Sequence, residues 1–212
     1  MAAIDIALWD IKGKALDAPV YDLLGGRARE KVLSYCHLRG STPEETLASA
    51  KAHVDLGWKA LRWEPTYGND MIMRGRRAGD KAIEEVKLLR RELGPEIELA
   101  FDAHTKLTPV EAAYLCNAVA DQRPMFIEDP LRSEYVDGYR SLRGKTAVPL
   151  AAGEQFASKW QFVQMLNDNL MDYCSVERCI AGGPTEGHKI AAMCEARMVD
   201  LAGNNHNGRA HP

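Results

Sequence analysis

Leu99-Ala-Phe-Asp102-Ala-His104, Met125-Phe-Ile-Glu128-Asp-Pro130 and Pro149-Leu-Ala-Ala-Gly-Glu154 are three short apolar runs, each ending in a carboxylate. Asp102 and Glu128 are 26 residues apart, and Glu128 and Glu154 are 26 apart again. That interval holds one strand, one helix and two loops. Acids repeated at the ends of successive strands predict oxygen ligands converging on one metal ion at the rim of a β/α barrel.

Outward from these runs, strands and helices alternate. Strand character lies at 32–36, 58–63, 97–102, 125–128, 148–152, 172–177 and 198–202. Helices are expected from Ser41-Thr42-Pro43 to Leu56, over 80–93, from Thr108-Pro109 to Ala120, and over 134–143, 157–168 and 185–196. Their starts carry hydroxyl caps, early prolines and acids, and their ends carry glycine. Seven strands at a repeat of about 25 residues make an α/β chain. A doubly wound sheet would usually open with a glycine-rich phosphate turn after its first strand, and none is present. Acids at successive strand ends favour an incomplete TIM-like (β/α) barrel of about seven strands. Before it, residues 3–16 read as a helix with Ile4, Leu8, Ile11 and Ala15 on one face. The organisation is therefore a helix and linker over 1–30, leading into a barrel over 31–212 that stops short of an eighth strand. The open edges of such an array call for cover, and a homo-oligomer is the expected assembly. The polar stretch from Thr66 to Gly79 is the longest loop, a lid or substrate contact on one reading and a surface insertion on the other.

The 212 residues are 46% hydrophobic and 27% charged, a soluble globular profile, and the net charge of -3 argues against a nucleic-acid partner. Neither a membrane-spanning apolar run nor a signal peptide is visible, so a cytoplasmic location without membrane contact is expected. Five cysteines without a CxxC pair read as reduced thiols rather than as a zinc site.

Hard oxygen ligands favour magnesium or manganese. Any one of the acids could instead cap the helix after its strand; three at equal spacing are harder to explain that way. If the extended geometry continues through Ala103, Asp102 and His104 face the same way. A divalent ion can bind a substrate carboxylate and stabilise the enediolate formed when the adjacent proton leaves, with His104 as general acid or base. A glycosidase pair would leave the third acid unexplained.

Ala3-Ile-Asp-Ile-Ala-Leu-Trp-Asp-Ile-Lys-Gly-Lys14 and Pro19-Val-Tyr-Asp-Leu-Leu-Gly-Gly26, together with Asp102-x-His104, Glu128-Asp-Pro130 and Gly153-Glu154, resemble the mandelate racemase and muconate lactonizing enzyme relatives of the enolase superfamily. The sugar-acid dehydratases of the galactonate and gluconate type are the subgroup most similar. The resemblance implies magnesium held by Asp102, Glu128 and Glu154, with His104 assisting departure of a β-hydroxyl from an aldonate after α-proton abstraction. The expected activity is that of a hydro-lyase in sugar-acid catabolism. Racemases of the family carry Lys-x-Lys at the end of the second strand. Arg62-Trp63-Glu64 stands there, which turns the reading from racemase or epimerase to dehydratase and leaves Arg62 as a substrate contact or as partner of a neighbouring acid.

The family's base after the seventh strand is a histidine. Here Asn204 holds that position, His206 two residues on is the candidate substitute base, and Glu177 takes the place of the acid that orients the base or pairs with Arg178 or a nearby lysine. Asn204 is then a substrate contact, and a catalytically impaired metal-binding relative or fragment is the competing reading. The resemblance also implies an N-terminal capping domain and an eighth strand, neither of which is in these 212 residues.

Overall fold

The computed structural model describes residues 1–65 and 75–204. Among them are seven strands, in chain order across the sheet without a crossover: β1 (Tyr35–His37), β2 (Ala60–Trp63), β3 (Glu98–Asp102), β4 (Phe126–Glu128), β5 (Leu150–Ala152), β6 (Tyr173–Cys174) and β7 (Asp200–Leu201). Strands in sequential order, joined by helices, make an incomplete (β/α) barrel. The helices are α1 (Ala2–Ala15), α2 (Val20–Leu23), α3 (Pro43–Asp55), α4 (Gly75–Leu93), α5 (Pro109–Val119), α6 (Val136–Arg143), α7 (Lys159–Asn167) and α8 (Gly183–Glu195). The chain divides into two compact units, one of Ser34–Ala152 with Leu170–Tyr173, the other of Met1–Leu33, Gly153–Asn169 and the residues from Cys174 on.

In the first unit β1 to β5 pair in parallel. The register sets His37 beside Arg62, Arg62 beside Ala100, and Asp102 beside Glu128. Side chains alternate along a strand. Trp63 and Phe101 therefore leave one face and meet edge-on at 5.8 Å. Tyr35, Phe126 and Tyr173 leave the other and form an aromatic floor, Phe126 lying 6.3 Å from Tyr35 and 5.0 Å from Tyr173. His37, Asp102 and Glu128 come two residues after Tyr35, Ala100 and Phe126 on the floor's own face, and Arg62, beside Ala100, shares that face.

The helix starts follow the capping chemistry in the sequence. Thr42 accepts from Glu45 N, with Pro43 as the first helical residue. Thr108 and Glu111 form a capping box at the start of α5. The start of α4 differs from expectation. It is helical from Gly75 rather than from residue 80, so residues 75–79 of the expected loop belong to the helix. Residues 66–74, and the lid or substrate contact expected of them, lie outside the described residues.

In the second unit α1 packs on α8. Asp5 Oδ2 accepts from Thr185 N at 2.9 Å, and Trp9 Nε1 donates to Thr185 Oγ1 at 2.8 Å. An acid 180 residues away in sequence thus serves an N–H of the first turn of α8. Gly183 has φ +83°, and a Cβ there would lie 2.6 Å from Asp5 Oδ2, so both backbone and space require glycine. The apolar stripe of Ile4, Leu8 and Ile11 points away from α8 and is about 60% exposed.

The last two strands are shorter than expected. β6 stops at Cys174, and Glu177 meets Asn204 in an isolated parallel bridge beyond it. Among the described residues no helix is long and apolar enough to cross a membrane.

Candidate functional site

Asp102 ends β3 and Glu128 ends β4, directly opposite each other. Both are buried, at 2% and 0% exposure, and Asp129 beside them is 2% exposed. Arg62, from the end of β2, lies between the first two. Its Nε donates to Glu128 Oε2 at 2.5 Å, its Nη2 to Asp102 Oδ2 at 2.8 Å, and its Nη1 lies 3.3 Å from the ring nitrogens of His37. Burial disfavours the guanidinium charge, and Glu128 and Asp102 outweigh that penalty, so Arg62 is held protonated above its ordinary range. Of the two roles open to Arg62, the structure displays the pairing with neighbouring acids.

His104 meets Asp102 at a turn that follows β3. The strand stops at Asp102, and His104 and Thr105 take φ of +50° and +61°. The reversal begins at His104, after Ala103, whose N–H still donates to Glu128 O at 2.9 Å. His104 N donates to Asp102 Oδ1 at 2.8 Å, and His104 Nδ1 lies 3.2 Å from Asp102 Oδ2. Asp129, with φ +36°, supports the turn, its carbonyl accepting from Thr105 N at 2.6 Å. Three left-handed non-glycine residues at two neighbouring strand ends are backbone strain of the kind that collects at functional sites.

Several contributors to this layer were not singled out in the sequence. His37 follows the same strand-end logic on β1, and Asp129 is the residue after Glu128. Lys106 pairs with Glu64, tying the turn after β3 to the end of β2, and its burial lowers its pKa. Tyr139, inside α6, donates from its hydroxyl to Leu131 O at 3.0 Å. Burial raises its pKa well above 10.0, and the nearby charges of Asp129, Glu128 and Asp102 push the same way. No sequence motif marks Tyr139.

The other expected residues belong to the second unit. Glu154 is 8% exposed and follows Gly153, which has φ +119°. Glu177 is fully buried, and its Oε1 accepts from Cys179 N at 2.8 Å. Asn204 is 2% exposed, and its N–H donates to Val176 O at 3.1 Å. His206 lies outside the described residues. Thus Arg62, Asp102, His104 and Glu128 are brought together, while Glu154, Glu177 and Asn204 each hold a buried place at or just beyond a strand end.

The donor chemistry fits a hard divalent cation. Asp102 and Glu128 are buried carboxylates in direct register, both paired with the buried Arg62 guanidinium, with the buried Asp129 carboxylate next in sequence to Glu128, and buried negative charge is costly without compensating positive charge. Oxygen donors of this kind select magnesium or manganese over softer ions.

Residues 45–211 match the family described as "Enolase C-terminal domain-like". The chain belongs to the enolase superfamily. Residues 1–25, which include α1, match the "Mandelate racemase / muconate lactonizing enzyme, N-terminal domain". This enolase-superfamily chain is 38% identical to a D-galactonate dehydratase of Klebsiella pneumoniae strain 342 over 202 residues, covering 95% of the chain and 53% of the relative. It is 36% identical to a D-mannonate dehydratase of Caulobacter sp. strain K31, covering 94% and 55%. A crystal structure of an enolase from Pantoea ananatis with bound D-gluconate and Mg is 30% identical, superposes with a TM-score of 0.86, and is matched over 95% of this chain and 56% of that one. The chain spans about half the length of these relatives.

Proposed function

We propose that this chain carries the metal-binding and proton-donating residues of a magnesium-dependent sugar-acid dehydratase. The observation that carries the reading is the Asp102–His104 pair, set beside Glu128 in direct register at the strand ends. Asp102 and Glu128 would hold the ion, and Glu154 is assigned as third ligand from its spacing, its burial and its place after β5. Bound there, the ion supplies Lewis-acid stabilisation of negative charge on a substrate carboxylate. The chain's own residues do the rest. His104, with Nδ1 facing Asp102, passes a proton from Nε2 to the leaving β-hydroxyl. Loss of the α-proton and that hydroxyl yields water and an enol that becomes a 2-keto-3-deoxy acid. Glu177 and His206 are assigned to the proton-accepting side, and Asn204 to substrate. The dehydratase names of the relatives and the gluconate in the Pantoea ananatis structure support an aldonate as substrate.

Asn204, where dehydratases of this kind carry a histidine, favours a second reading: a relative that binds metal without turnover. Incubation with magnesium and a panel of galactonate, mannonate and gluconate, scored for keto acid, separates the two. Keto acid formed by the wild type and lost in Glu128→Gln is expected. Magnesium-dependent stabilisation without keto acid leaves the second reading standing, and no magnesium-dependent stabilisation at all sinks the ligand assignment.

A further inference from the structure

We infer that Arg62 is a resident counter-cation for the Asp102–Glu128 pair, which it shares with the divalent ion and whose affinity for that ion it restrains. This rests on the assignment of Asp102 and Glu128 as ligands. Arg62 is 4% exposed and donates separate N–H groups to one oxygen of each acid. Two buried carboxylates in adjacent register would repel one another without a cation between them. Arginine suits the place because its charge persists when buried and its fork reaches two acceptors at once. His37 holds the remaining arm, with its ring nitrogens 3.3 Å from Arg62 Nη1. His37 is in turn stacked on Tyr35 at 5.9 Å.

The guanidinium therefore does two opposed things. It keeps the acid pair tolerable when no ion is bound, and its positive charge opposes the arrival of another. A purely positioning role would act the other way, because loosening the acids would weaken metal binding. The sign of the effect on metal affinity thus decides the matter.

The experiment is calorimetric titration of MgCl2 into the purified chain, with melting temperatures measured with and without the metal. Arg62→Met removes the charge and keeps most of the volume; Arg62→Lys keeps the charge and loses the fork. Arg62→Met is expected to bind Mg at least tenfold more tightly than wild type. Its melting temperature is expected to fall below wild type in EDTA and to recover at saturating MgCl2. Arg62→Lys is expected to bind within about threefold of wild type, and it serves as the test on its own if Arg62→Met does not fold. Unchanged or weaker binding by Arg62→Met, or a tenfold loss in Arg62→Lys, overturns the inference while leaving the metal site intact. Absence of any magnesium response in wild type overturns the site assignment and this inference with it.

Discussion

Individual residues in this chain are constrained by backbone and by burial. Gly153 combines φ +119° with a position where a Cβ would lie 2.5 Å from Phe162 Cε1. Gly153→Ala must therefore strain the backbone and displace a ring packed on Phe156 at 4.9 Å. A loss of about 2–4 kcal/mol is expected in urea unfolding, combining strain and overpacking. Cys116 is a buried thiol whose pKa is pushed up by burial from 9.0 to about 12. Its folded state holds the proton that the unfolded chain releases first. The associated stability is full below pH 9 and is lost as the pH rises toward about 12. Cys116→Ala should flatten that alkaline loss in melting curves recorded across this window. The residues of the site were unevenly legible. Asp102, Glu128 and Glu154 could be read because they end apolar runs at equal spacing. The left-handed turn at His104 and the hydroxyl of Tyr139 could not, since neither a local φ reversal nor a contact made from within a helix leaves a periodic signal.

At the scale of elements, the strands buried on both faces were the most legible. Leu99–Asp102, Phe126–Glu128 and Leu150–Ala152 are short apolar runs bounded by helix starts. Strand ends were less so: β6 and β7 shrink to two residues each, because the chain turns at Glu177 and pairs onward only through the bridge to Asn204. The early start of α4 was missed because glycine and arginine give no apolar period there. On α1 the period shows which residues share a face but not which face is covered. Contact with α8 runs through Asp5 and Trp9, and the aliphatic stripe stays outside. Asp5→Ala should accordingly cost about 1 kcal/mol, the worth of a helix cap, measured by chemical denaturation. Asp5→Asn, which can still accept from Thr185 N, should recover most of it.

For the molecule as a whole, the length, the β/α alternation and the acidic strand ends were enough to indicate an incomplete barrel. The identity of the proposed sugar-acid substrate was not legible, since substrate choice depends on contacts beyond the metal ligands. Metal binding offers the most direct whole-chain measurement. A ligand present at a hundredfold excess over its Kd stabilises the native state by about 2.7 kcal/mol. For a chain of this size that corresponds to a rise of roughly 5–11 °C in Tm. Magnesium at such a concentration should produce a rise of that order, EDTA should reverse it, and Glu128→Gln should show almost none.

Tyr139 gives this fold an optical reporter of its own. Its phenol is buried with the charges of Asp129, Glu128 and Asp102 nearby, and burial and those charges both oppose its ionisation in the folded chain. A last step in tyrosinate absorbance, appearing only as the near-UV circular dichroism collapses and missing in Tyr139→Phe, would time the opening of the layer beneath the carboxylates without any label or ligand.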